Sequence, residues 1–257
     1  MPDGAPFVFR RLYMRSFIPW IGGKSALSKT ITNIFPDNVG RYIEVFGGGG
    51  SILFASDHHA ALEVYNDANS DLVRLFRCIK YHPDELSKEI QYYLNSREVF
   101  NDCRRKLESN GDYTDIQRAA MFYICIKISY GAKMTSFGCI KKRLSSDRFS
   151  EVSQRLNGVV IENKDFEDLI RQYDRTDALF YCDPPYHTTE KLYSAVFKED
   201  DHYRLKSVLS GLKGRFILSY NDDDFVRDLY SDFKICSLER QNNLSSGTFK
   251  ELLITNF

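Results

Sequence analysis

The chain has 257 residues, with 35 basic and 35 acidic side chains and 43% hydrophobic residues. That is enough for one large domain, or for a core domain carrying a small insert. The balanced charge provides no global field toward nucleic acid, so any such affinity must come from local patches.

The six cysteines (Cys78, Cys103, Cys125, Cys139, Cys182, Cys236) form no Cys-x-x-Cys pair, and the five histidines show no ligand spacing. A zinc site or redox motif is therefore not expected, and no metal is assigned. Phe7-Val8-Phe9 is too short for a secretory apolar core, and Arg10-Arg11 follows it. No apolar run approaches the roughly 20 residues of a membrane span. The expectation is a cytoplasmic protein with reduced thiols, monomeric or weakly dimeric.

Residues 1–15, with Pro2, Gly4 and Pro6, read as a loose leader, and Met14 is a candidate natural start. Next, Trp20-Ile21-Gly22-Gly23-Lys24-Ser25 suggests a phosphate loop. The glycine that such a loop needs five residues before Gly23 is Ile18, which excludes it. What remains is a pair of glycines that allows close backbone approach, a cation at Lys24 and a stacking surface at Trp20. A simple glycine turn before a surface helix fits equally. That helix is expected over 25–35, stopped by Pro36.

Arg41 to Phe46 is a buried-strand candidate that runs into Gly47-Gly48-Gly49-Gly50 and then a helix start at Ser51 to Ala55. Strand, glycine turn and helix is the dinucleotide-type arrangement, in which the glycines leave room for a cofactor. A second strand, Leu62 to Asn66, ends in Asp67. An acid there either grips ribose hydroxyls or caps the helix that follows, as could Asn66 or Asn69.

From Pro83 the pattern becomes helical, with helices expected over 84–95, 97–108 and 115–130. The last is the most apolar and forms the core of the insert. Gly131 to Arg143 follows, a basic, glycine-punctuated segment in which Lys133, Ser136, Lys141, Lys142 and Arg143 are candidate phosphate or base contacts. A solvated loop is the alternative. Strands then resume at 159–161, 178–182, 216–220, 233–236 and 251–255. Between them come helices at 200–212 and 222–230, a polar lid-like segment at 187–198, and a turn at 242–247.

The strand at 178–182 stops abruptly at Asp183-Pro184-Pro185-Tyr186, because prolines cannot extend a ladder. Asp183 offers a carboxylate acceptor and the Pro184 carbonyl a second, made rigid by the Pro184 and Pro185 rings. Tyr186 offers a flat face. Two acceptors beside an aromatic platform suit a planar base bearing an amino group, although a plain strand-end turn would use the same residues.

Taken together, Trp20-Ile21-Gly22-Gly23-Lys24, Glu44 to Ser51, Asn66 to Leu72, Asp165-Phe166, Tyr181 to Tyr186 and Leu253 to Asn256 resemble the D12 class of DNA adenine methyltransferases. The order of the pieces is similar to the alpha arrangement, in which a helical insert recognises the target. The resemblance implies an α/β fold: a Rossmann-like class I methyltransferase sheet, with catalytic parts 16–82 and 150–257 around an insert at 83–149. It implies S-adenosylmethionine as methyl donor, S-adenosylhomocysteine as product and double-stranded DNA as partner. Trp20, Gly22, Gly23, Lys24, Glu44, Phe46, Gly47, Gly49, Asp67 and Asp165 would border the donor. Asp183 would lie between donor and target, within a catalytic Asp183, Pro184, Pro185 and Tyr186. The chain departs from the family at Lys127 to Lys133, where an Asn-Arg-containing stretch is usual, so the recognised DNA sequence does not carry over.

Overall fold

Short apolar runs become strands here because helices cover both faces of one sheet. A computed structural model describes residues 14–109, 111–139, 144–187, 197–241 and 248–257. Its strands are β1 (Arg41–Glu44), β2 (Leu62–Asn66), β3 (Val159–Glu162), β4 (Ala178–Cys182), β5 (Arg215–Asn221), β6 (Lys234–Gln241) and β7 (Thr248–Thr255). They form one sheet in the order β3-β2-β1-β4-β5-β7-β6. The β1, β2, β3, β4 and β5 pairings are parallel, and β7 runs antiparallel to both neighbours. This is the Rossmann-like α/β sheet that the resemblance implies. The strand order reverses between β1 and β4, and the crevice at their carboxyl ends is where such sheets bind ligands.

The helices are α1 (Ser28–Asn33), α2 (Ser70–Tyr81), α3 (Pro83–Gln91), α4 (Arg97–Glu108), α5 (Asp115–Ile128), α6 (Phe149–Leu156), α7 (Phe166–Tyr173), α8 (Glu199–Ser210) and α9 (Asp224–Leu229). Side chains alternate across each strand. In β4, Leu179 and Tyr181 face one core, whereas Ala178, Phe180 and Cys182 face the other. The first core runs without a break from the sheet through α2 into α5. α5 begins at a capping box formed by Thr114 and Gln117, and it is buried on nearly every face from Ala119 to Ile128. α5 therefore shares one core with the sheet.

Two elements differ from the sequence reading. The helix expected after the glycine turn is a single 3₁₀ turn, Leu53–Ala55, followed by extended Ser56. The Ser56 hydroxyl bonds the backbone of His58 as both donor and acceptor, a local arrangement that competes with helix. Arg155, its side chain 5% exposed, fixes the turn by donating to the carbonyls of Leu53 and Ser56 while pairing with Glu63 at 2.8 Å. α6 was not foreseen, since only Phe149, Val152 and Leu156 mark its buried face. The segment 188–196 of the expected lid, the turn 242–247 and the leader residues 1–13 lie outside the described residues.

Candidate active site

The glycine turn leaves β1 at the switch point. Gly48 and Gly50 have φ of +49° and +68°, conformations that L side chains rarely adopt. The room the sequence reserves for a ligand is partly taken by protein. A Cβ at Gly47 would meet the Tyr65 ring at 2.2 Å, and one at Gly48 would meet Trp20 Nε1 at 2.6 Å. At Gly49 it would meet Ser16 Oγ at 2.9 Å and Trp20 Cβ at 3.0 Å. These glycines let Tyr65 and half-buried Trp20 close on the turn, and Tyr65 Oη donates to the Gly48 carbonyl at 2.7 Å.

Asp67 follows β2. The helix cap that the sequence left open belongs to Asn69, whose Oδ1 accepts from the Asp71 and Leu72 N–H groups. Asp67 is thereby free for the crevice. Its Oδ2 accepts from Gly48 N–H at 2.9 Å and its Oδ1 from Asn69 N–H at 2.8 Å. Burial raises its carboxyl above the ordinary range, and those two backbone bonds oppose the rise.

Asp165 caps α7 by accepting from Glu167 N–H at 3.0 Å, and it pairs with Arg204 at 2.9 Å. Beside it Phe46, Phe166 and Phe197 form an aromatic wall, with ring centroids 5.6 to 5.8 Å apart.

The centre of the crevice is Asp183. Lys24, only 5% exposed, lies 2.7 Å from its carboxylate and also donates to the Gly22 carbonyl at 2.9 Å. The Ser219 hydroxyl, from β5, donates to Asp183 Oδ1 at 2.9 Å. Tyr181 Oη stands 3.1 Å from the Ser219 oxygen and donates to it, because the Ser219 proton is committed to Asp183. Tyr186 Oη donates to Glu251 Oε1 on β7 at 2.7 Å, and Lys24 Nζ sits 4.8 Å from the Tyr186 ring centre. Burial, with Asp183 and Glu251 nearby, holds the Tyr186 phenol well above its usual range, so it stays a donor. Gly22 (φ +74°) and Gly23, whose N–H bonds the Trp20 carbonyl at 3.1 Å, shape the turn that delivers Lys24.

Glu44 occupies a different position from the one expected of a donor contact. It is 1% exposed, and its Oε2 accepts from Tyr42 Oη at 2.9 Å and Leu53 N–H at 2.7 Å. It braces the strand end against the 3₁₀ turn. Burial is the main cause that pushes its carboxyl up to about 8. A folded-state value above the unfolded 4.5 favours the native state below pH 4.5, and that contribution is lost as pH rises toward 8. Glu44→Gln should flatten the fall in Tm between about pH 5 and 8, read by thermal melts across pH, whereas parallel melting curves would contradict the assignment.

A cleft of about 1040 Å³ borders the other side of Trp20. Arg15, Lys127 and Arg148 line it, together with Ser16, Ser25, Ser51 and Ser145. Arg148 holds the entering chain by donating to the carbonyls of Arg15 and Ser16. Residues 20–244 match the D12 class N6 adenine-specific DNA methyltransferase family.

The chain belongs to that family.

Among its relatives is the Type II methyltransferase M1.LlaDCHI of Lactococcus lactis subsp. cremoris, 26% identical over 96% of this chain and 97% of the relative. Type II methyltransferase M.MjaIII of Methanocaldococcus jannaschii is 27% identical over 95% and 99%. The DNA adenine methylase of Haemophilus influenzae is 23% identical over 95% and 92%. This D12 methyltransferase gathers Trp20, Gly22, Gly23, Lys24, Phe46, Gly47, Gly49, Asp67, Asp165 and Asp183 to Tyr186 along one sheet edge. Lys133 and Ser136 are exposed on a loop closed by Tyr130 N–H to the Ser136 carbonyl at 2.9 Å. Lys141, Lys142 and Arg143 lie outside the described residues. Sequence reasoning missed Ser219, Glu251 and Phe197 as site residues. No metal-holding cluster occurs among the described residues, and no described helix is long and apolar enough to cross a membrane.

Proposed function

We propose that this adenine methyltransferase takes its methyl group from S-adenosylmethionine and delivers it to the exocyclic amine of an adenine turned out of duplex DNA, with S-adenosylhomocysteine as the leaving group and one amine proton released. The residues present suit that donor. Asp67 offers a carboxylate for a ribose diol, Phe46, Phe166 and Phe197 offer a flat-sided wall for a purine, and Asp165 stands at its rim. The carboxylates of Asp183 and Glu251 share Lys24, at 2.7 and 3.5 Å, and two carboxylates nearby suit a positively charged sulfur. When bound, the donor supplies a methyl group on that sulfur.

The adenine amine is a weak nucleophile because its lone pair is delocalised into the ring. Asp183 and the Pro184 carbonyl accept its two N–H bonds, which favours a pyramidal nitrogen whose lone pair is localised and points at the methyl group. A charge-assisted bond of this kind contributes roughly 1.5–3 kcal/mol net. Lys24 and Ser219 fix the carboxylate before the base arrives, so little reorganisation is needed. Extruding the base costs a few kcal/mol, and stacking on Tyr186 returns roughly 1–3 kcal/mol. The observation that carries this reading is Asp183, held by Lys24 and Ser219 at the switch point between the glycine turn and Tyr186.

DNA recognition falls to the insert, 83–149, and the phosphate backbone to the cleft of Arg15, Lys127 and Arg148. Lys127→Ala should reduce the slope of log affinity against log salt by about one, without changing donor affinity. An unchanged slope would remove Lys127 from the DNA contact. Titration calorimetry with S-adenosylmethionine tests the donor assignment: saturable one-site heat, competed by S-adenosylhomocysteine, is expected, and absence of heat would overturn it.

A further inference from the structure

Glu251 lies beyond the residues that match the family, 20–244. It sits on β7, opposite Asn221 of β5 and Leu238 of β6, and is 2% exposed. Burying a carboxylate is costly unless something specific balances it. Two partners of this one belong to the reaction centre. Tyr186 donates its phenol proton to Oε1 at 2.7 Å, and Lys24 Nζ stands 3.5 Å from the same oxygen. Lys24 in turn holds Asp183 at 2.7 Å. One carboxylate oxygen thus reaches both the aromatic platform and the cation that orients the acceptor.

The geometry points to Glu251 as a positioning residue for methyl transfer. It sets the plane of the Tyr186 ring and the placement of the Lys24 ammonium, so that platform and Asp183 meet the base in one fixed relation. This inference rests on the proposed reading of Asp183 and Tyr186. A brace that only held β7 to the core would leave the chemistry alone once the protein was folded. A positioning carboxylate acts on turnover and acts through Tyr186.

The test compares Glu251→Gln, Tyr186→Phe and the double variant with the wild-type chain. It measures kcat for methylation of genomic DNA, S-adenosylhomocysteine affinity by calorimetry, and Tm. Glu251→Gln should lower kcat at least tenfold while product affinity stays within threefold. Tyr186→Phe should lower kcat severalfold in the wild-type background and by a smaller factor in the Glu251→Gln background, since the neutral amide oxygen is a weaker acceptor for the same phenol. A Glu251→Gln kcat within twofold of wild type, or losses that multiply in the double variant, would overturn the inference. Should Glu251→Gln not fold, Tyr186→Phe decides: a severalfold loss of kcat with unchanged product affinity supports the tether, and wild-type kcat overturns it. Failure of the underlying reading looks different, because the wild-type chain itself would then form no N6-methyladenine.

Discussion

Asp183→Ala is expected to abolish methylation, with a loss of at least about 1000-fold in single-turnover rate, while S-adenosylmethionine still binds. The size follows from what is removed. The variant loses the acceptor for one amine N–H and strands the Lys24 ammonium, which is only 5% exposed and 2.7 Å from the missing carboxylate. It also leaves the Ser219 proton without its acceptor. Losing transition-state hydrogen bonds of this kind costs roughly 10²–10³ each in rate. Asp183→Asn keeps the shape but turns half of the acceptor into a donor facing Lys24, and should recover little. A Tm within a few degrees of wild type would show that the loss is chemical. A variant that methylates at near wild-type rate would remove Asp183 from the mechanism.

The second large effect is expected at Asp67. Its two oxygens hold the Gly48 and Asn69 N–H groups, at 2.9 and 2.8 Å, and in the proposed function they also hold ribose hydroxyls. Asp67→Ala removes the grip on the donor and the clamp on the glycine turn together. Bonds to a charged acceptor contribute roughly 1.5–3 kcal/mol each, so donor affinity should fall by about 100-fold or more. α2 should survive, because Asn69 supplies its cap. Calorimetry checks the affinity, and circular dichroism checks the helix. Because burial raises the Asp67 carboxyl, donor binding should weaken on acidification at a higher pH than an exposed aspartate would give. Unchanged affinity in Asp67→Ala would place the ribose elsewhere.

Most of the motif end of the site was legible because its signals are local. Prolines stop β4 at Asp183, glycines bend the chain after β1, and an acid tips β2. These are properties of a few consecutive residues. Their support was not legible. Ser219 reaches Asp183 across 36 residues, and Glu251 meets Tyr186 across 65. Neither position carries a local signature, since Ser219 reads as one more residue of a buried strand and Glu251 as the start of another. The glycine turn teaches the same point from the other side. Four glycines announce close approach, but only the packed structure shows that Tyr65 and Trp20 are what approaches Gly47 and Gly48. Glu44 looked like a donor contact because it heads the motif, and tertiary packing turned it into a brace under Leu53.

The most direct test of the account is nucleoside mass spectrometry of unmethylated duplex DNA incubated with the purified chain and isotopically labelled S-adenosylmethionine. Labelled N6-methyladenine is expected from the wild-type chain and none from Asp183→Ala. Label in N4-methylcytosine, or N6-methyladenine formed equally by both proteins, would contradict it.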